Sequence, residues 1–565
     1  MPPSLLQRVQ TARAGRGLLL ELDLTEELPD RVPTDPVARL QARRRTPLRT
    51  VVERLTRAAT DDRVRGLVAK VGGPRVDLAR AQELAEAVRA FRRTGKPAVA
   101  HAETFGELTG GTPSYLLATA FDEVWLQPSG DVGLTGVAAE AVFLRGALDR
   151  LGVEPQFGQR HEYKNAVDSL QRRELSPAHR EALTGVVQSA FAQVVEGVAA
   201  GRGLPVETVR ELVDRAPLLA EEARDAGLVD HVGYRDQAYA AARARIPEEV
   251  DLLLVGRYAP RPPGGAAAAL VRRVTPGTRR RAVALVTATG TITQGRSVRP
   301  LLGQPTAGSD TVAAALRAAG RDEQVAAVVL RVDSGGGSYV ASDTIWREVL
   351  RLREGGTPVV VSMGRYAASG GYFIAAPADA IVALPGTLTG SIGVFAGKAV
   401  TARLLDRLGV AVEGVAEGAQ ARMFAPSQPF TASERARLEG WLDRVYADFV
   451  DRVAQGRRLS HDEVHEVARG RVWTGADARE RGLVDELGGL GAALALARRR
   501  AGLPDDAGVR VLPPTSPLAQ LRPPRNTEDP AAAGAAGTGL EALAARLAGA
   551  AGAGGVLAVP EWRLR

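Results

Sequence analysis

Apolar positions along this chain alternate between two rhythms. Short runs rich in Val, Leu, Ile and Ala, at 18–24, 67–71, 97–101 and 124–127, read as strands. Buried parallel strands are apolar on both faces, so such runs need no polar alternation. Between them, apolar residues recur every three or four positions at 48–59 and 78–91, with a shorter stretch at 115–120. That is the spacing of helices packed on one side. The second half repeats the order, with strands over 282–287, 325–332, 358–362 and 381–384 and helices over 311–319, 340–353 and 369–376. Strands separated by helices of this length predict parallel βαβ units, hence an α/β fold.

The two halves read as copies of one another. Tyr115 and Tyr372, Asp122 and Asp379, Pro128 and Pro385, Gly133 and Gly390, and Gly136-Val137 and Gly393-Val394 all pair at one constant spacing. Gly201-Arg202 pairs with Gly456-Arg457, and Gly227-Leu228-Val229-Asp230 with Gly482-Leu483-Val484-Asp485, at a slightly shorter one. Small loop insertions produce such drift, and a unit this long is a duplicated domain rather than a short solenoid repeat. We therefore divide the chain into a first repeat (1–250), a Pro/Gly/Ala/Arg-rich linker (251–280), a second repeat (281–503) and a Pro/Ala/Gly-rich tail (504–565) expected to be mostly flexible. At the same spacing Ser369 faces Thr112, so the copies differ where one carries a candidate nucleophile.

Composition narrows the function. A length of 565 residues with 45% hydrophobic content suits several globular domains. The chain has no cysteine, which excludes disulfides, thiolate catalysis and cysteine-ligated zinc. Its formal charge of +8 comes from scattered arginines, in clusters such as Arg43-Arg44-Arg45 and Arg498-Arg499-Arg500. Aromatics are only 4% and none interleave with these clusters, which argues against nucleic-acid binding. Peripheral contact with anionic lipid fits better. The first residues lack the apolar core of a signal peptide, and no window reads as a transmembrane span. The expected location is cytoplasmic or peripherally membrane-associated.

Two glycine clusters of the second half stand where chemistry is done in α/β folds. Asp333-Ser334-Gly335-Gly336-Gly337-Ser338 follows an apolar strand and precedes a helix, where backbone amides face outward. It lacks the lysine and hydroxyl residue of a phosphate loop. Ser369-Gly370-Gly371 places a hydroxyl at a second strand-to-helix turn. Such turns also occur without catalysis, so the pattern alone leaves the matter open. A serine nucleophile needs a base. His461-Asp462-Glu463-Val464-His465 has Asp where a metalloprotease helix needs Glu, and reads as a solvated face. His161 lies beside Tyr163-Lys164-Asn165-Ala166-Val167, whose counterpart region in the second half has Arg422-Met423. A lone lysine is ordinarily surface charge; a catalytic one has to be neutral, which requires burial.

Val332-Asp333-Ser334-Gly335-Gly336-Gly337-Ser338, the stretch 363–372, and Leu388-Thr389-Gly390-Ser391-Ile392-Gly393-Val394 together resemble the signal peptide peptidase A family of serine proteases. The duplication and the Tyr163–Val167 segment resemble its long, two-domain form. The resemblance spans about residues 15–500. It implies tandem crotonase/ClpP-like domains and a tetramer. It also implies Ser369 as nucleophile, Lys164 as general base, and Gly336 and Gly370 as oxyanion donors. Substrates would be cleaved signal peptides and other short or unfolded segments, with no metal or cofactor. Gly335 stands where the family usually has proline, and Asn165 where it usually has a small hydroxyl residue. The alternatives are a crotonase-type acyl-CoA enzyme and a non-catalytic membrane-associated assembly factor. With the lysine in one repeat and the serine in the other, a complete site requires the two to meet, within one chain or between neighbours.

Overall fold

The structure, a computed structural model, describes residues 17–25, 28, 46–72, 76–260, 281–298 and 305–513, and the short strands Val556–Ala558 and Arg563–Leu564. The N-terminal residues, most of the linker and residues 514–555 of the tail lie outside the described residues.

Each repeat is built on a parallel sheet of the same order. In the first, the strands run Val250–Leu254, Gly17–Asp23, Val64–Val71, Ala98–Ala102, Glu123–Leu126 and His231–Val232. In the second, the matching strands are Val509–Leu512, Ala282–Thr289, Val325–Ser334, Val359–Ala368, Ala380–Ala383 and Glu486–Leu487. Helices cover both faces of this sheet, which is why its strands are largely apolar on both faces. Val328 and Leu330 share a core with Ile345 and Val349 of the helix Tyr339–Glu354. On the other face, Ala327 and Val329 meet Leu490, Ala493 and Leu496 of the helix Leu490–Arg500.

Residues retained in both repeats serve this scaffold. Asp122 and Asp379 each accept the amide opening a neighbouring strand, from Ala98 and Val359, both at 2.8 Å. The Tyr115 and Tyr372 hydroxyls donate to the Leu228 and Leu483 carbonyls. Arg202 and Arg457 each clamp an aspartate, Asp230 and Asp485. Both repeats run past the boundaries expected from sequence. Val250–Leu254 and the buried Val255 and Tyr258 extend the first beyond residue 250, and Val509–Leu512 extends the second beyond Pro504. Pro/Gly-rich composition masked these edge strands, which are held by pairing with Gly17–Asp23 and Ala282–Thr289.

The repeats pack directly on one another. Glu83 and Glu86, on the helix Leu78–Arg92, accept the amides of Leu490 and Gly489 at 2.8 Å each. They thereby cap a helix of the second repeat. Glu83 also pairs with Arg331 at 2.7 Å. The strand Glu154–Gln159 pairs antiparallel with Phe395–Val400, joining the first repeat to a smaller sheet that contains Gly336–Ser338. Among the described residues one helix, Pro177–Arg202, is long and apolar enough to cross a membrane by length and composition alone. Its residues Ala182, Val186, Ala190, Val194 and Val198 are buried in the protein.

Candidate active site

The strand Val359–Ala368 runs directly into Ser369, which caps the short helix Gly370–Ala375. Ser369 has φ +54° and ψ −116°, a conformation uncommon for a residue with a side chain. Its amide donates to Gly390 O at 2.8 Å, which ties the turn to the strand Leu388–Gly390. In the first repeat this tension is absent. Thr112 begins the helix Thr112–Ala118 and its hydroxyl donates to Gly136 O at 3.0 Å.

The two glycine clusters are packed against each other. A methyl group on Gly370 would stand 3.2 Å from Gly337 N and 3.3 Å from Gly336 Cα, and one on Gly371 would stand 2.5 Å from Ser334 O. Glycine is required because backbone meets backbone there. The Gly336 amide donates to Ser334 Oγ at 3.1 Å.

Lys164 enters from the other repeat of the same chain. It is 1% exposed, and its Nζ lies 2.8 Å from Ser369 Oγ. The same Nζ is 2.9 Å from both the hydroxyl and the carbonyl oxygen of Ser391. Burial alone pushes the lysine well below its usual range, with no carboxylate to hold the proton. A neutral amine hydrogen-bonded to a buried hydroxyl is equipped to take that hydroxyl's proton. The pairing closes within one chain.

The histidines stand elsewhere. His161 packs against Tyr446 and His465, His461 pairs with Asp451, and among the described residues no His/Asp/Glu group is arranged to hold a metal. Asn165 is buried with its side-chain Nδ2 unbonded. The sequence places Ser391 in the 388–394 motif and gives it no role beside Ser369. Its signal is the same asymmetry that marks Ser369, since its counterpart in the first repeat is Leu134.

Similarity to known proteins agrees with this geometry. Peptidase family S49 matches residues 90–247 and 351–504, one segment in each repeat. The chain belongs to peptidase family S49. It is 30% identical over 90% of its length to "Serine protease SPPA, chloroplastic" of Arabidopsis thaliana, covering 73% of that protein. It is 31% identical over 80% of its length to "Protease 4" of Salmonella typhi, covering 72% of that protein. The two matched segments and the coverage of these relatives are consistent with a long, two-domain form of the family, and the family and the names of its members are those of serine-type peptidases. Among solved structures, a ClpP1 mutant from Listeria monocytogenes shares 15% identity over 37% of this chain and 94% of that one, at a TM-score of 0.23, too low to carry an argument.

Proposed function

We propose that this chain is a serine endopeptidase working through a Ser369–Lys164 dyad, on a crotonase/ClpP-like scaffold in each repeat. The observation that carries the reading is the 2.8 Å contact between the hydroxyl at the strained turn and a buried lysine whose burial disfavours its charged form. Lys164 Nζ removes the Ser369 proton as Oγ attacks a peptide carbonyl. The resulting oxyanion takes hydrogen bonds from the amides of Gly336 and Gly370, the former exchanging its Ser334 partner for substrate. The lysine returns its proton to the leaving amine, and water then hydrolyses the acyl-enzyme with Lys164 again as base. Ser391 holds the amine on line through its hydroxyl and carbonyl. Substrates are extended peptide segments, with cleaved signal peptides the class implied by the family.

Membership in a peptidase family and the serine–lysine contact favour hydrolysis over the acyl-CoA and assembly-factor readings. The proposal includes assembly as a homotetramer, with peripheral membrane contact as its setting. Support for assembly comes from pseudo-symmetry. Leu151-Gly152-Val153 precedes the strand Glu154–Gln159, and Leu408-Gly409-Val410 stands at the matching place in the second repeat. The segment that follows, 411–416, joins no sheet among the described residues and leaves Val412 and Val415 exposed, along with Leu408 and Val410 before it.

A fluorophosphonate probe tests the dyad. The wild type should be labelled on Ser369 and should hydrolyse a fluorogenic peptide. Ser369→Ala, folded and purified free of host protease, should do neither. Substantial hydrolysis by that variant removes Ser369 from the mechanism.

A further inference from the structure

The general base reaches the serine through a slot whose wall belongs to the opposite repeat. That wall is Arg469-Gly470-Arg471, just before the strand Val472–Thr474. Its backbone bonds to both sides of the site. The Tyr163 amide donates to Arg469 O at 3.2 Å, the Gly470 amide to Ile392 O at 2.8 Å, and the Ser391 amide to Arg471 O at 2.7 Å. One tripeptide thus fixes the segment carrying Lys164 and the segment carrying Ser391.

The contact at its centre admits no side chain. Gly470 has φ +87°, and a Cβ there would lie 2.4 Å from Lys164 N and 2.6 Å from Lys164 Cα. Gly393 closes the slot from the other side, since a Cβ on it would stand 2.9 Å from Gly470 Cα and 3.1 Å from Lys164 Cδ. The flanking arginines grip the residue before the lysine. Guanidinium groups of Arg469 and Arg471 lie 5.4 and 5.0 Å from the centre of the Tyr163 ring, within cation–π range. Each is anchored in turn, Arg469 on Glu162 and Arg471 on Glu181 at 2.7 Å and on the face of Trp473. The Tyr163 hydroxyl also donates to Glu181, at 2.9 Å.

The duplication supplies an internal control. Aligned through the shared Gly-Leu-Val-Asp, the first repeat has Asp214, Arg215 and Ala216 at these three positions. The repeat without the serine therefore also lacks the glycine and both flanking arginines, with Arg215 standing at the glycine position.

We propose that Arg469-Gly470-Arg471 is a positioning element for the general base, holding Lys164 in line with Ser369 by backbone contact at Gly470 and by the contact of two guanidinium groups with the Tyr163 ring. This rests on the Ser369–Lys164 reading above. Misplacement of a catalytic group by about 1 Å costs on the order of a hundredfold in rate. A lysine pushed off its seat also meets water and keeps its proton to higher pH.

The test compares Gly470→Ala, Tyr163→Ala, Tyr163→Phe and Arg471→Met with the wild type, using a fluorogenic peptide across a range of pH. Gly470→Ala and Tyr163→Ala should lower kcat roughly a hundredfold, leave KM within about twofold, and move the rising limb of the pH–rate profile upward. Arg471→Met should do the same to a smaller extent. Tyr163→Phe keeps the ring and should restore the position of the limb. Circular dichroism confirms folding, and if Gly470→Ala fails to fold, the Tyr163 pair decides the matter. Folded variants with the wild-type limb overturn the proposal, whether kcat is unchanged or falls, because a fall without a limb shift reports general damage. A wild type unlabelled at Ser369, or an active Lys164→Met, brings down the dyad and the positioning element with it. A labelled wild type with an unmoved limb brings down the positioning element alone.

Discussion

Replacing Lys164 by methionine tests the protonation state on which the proposed chemistry depends. Methionine keeps the apolar stem and has no proton to lose. In the folded chain, burial holds the Lys164 amine well below its ordinary 10.5, and unfolding restores the ordinary value. Between those two values the unfolded chain binds more protons than the folded one, so stability rises with pH. For a lysine neutral in the fold across pH 7–9, the slope is about 1.4 kcal/mol per pH unit. The wild type should therefore gain about 2.7 kcal/mol relative to Lys164→Met between pH 7 and pH 9. The variant also loses contacts with Ser369 Oγ, Ser391 Oγ and Ser391 O. That loss offsets the two curves by a constant amount and leaves the slope intact. Urea midpoints of both proteins at pH 7, 8 and 9, at fixed ionic strength, measure the difference. A flat difference would show Lys164 charged in the fold throughout. A charged ammonium cannot take the Ser369 proton, and the general-base assignment would then be wrong.

Two further predictions concern how the repeats and copies are held together. Glu83→Ala removes a carboxylate that is 3% exposed and bonded to Arg331 and the Leu490 amide. It should cost roughly 3 kcal/mol, seen as a lower urea midpoint, and an unchanged midpoint would count against this contact as a link between repeats. Leu408→Asp with Val412→Asp places charges on the exposed segment that lacks a strand partner. Light scattering should report a smaller assembly than the wild type, and an unchanged mass would exclude this segment from the interface.

Periodicity and internal comparison were enough to recover the scaffold and its duplication. The apolar runs are strands because a parallel sheet covered on both faces has no place for alternating polar residues, and the helical spacing marks what covers it. The comparison of repeats also separates two kinds of residue. Pairs kept in both copies, such as Tyr115/Tyr372 and Asp122/Asp379, make the same scaffold hydrogen bonds in each. Positions that differ, Ser369 against Thr112 and Ser391 against Leu134, gather around Lys164 in the second repeat. Local pattern was weaker at the sheet edges, where Val250–Leu254 and Val509–Leu512 owe their strand state to pairing partners far away in sequence.

What the sequence could not supply was the ionisation of Lys164 and the route by which it reaches the serine. A lysine's charge depends on how much water surrounds it, and here the water is excluded by segments more than two hundred residues away, at 369, 391, 393 and 470. Whether the dyad closed within a chain or between chains was likewise open until the packing of Glu83, Glu86 and Glu154–Gln159 against the second repeat set the distance. Sequence determines which groups are available, because side-chain chemistry and local spacing are written in it. Their distances, dryness and strain, such as the turn that holds Ser369 at φ +54°, are properties of the assembled fold.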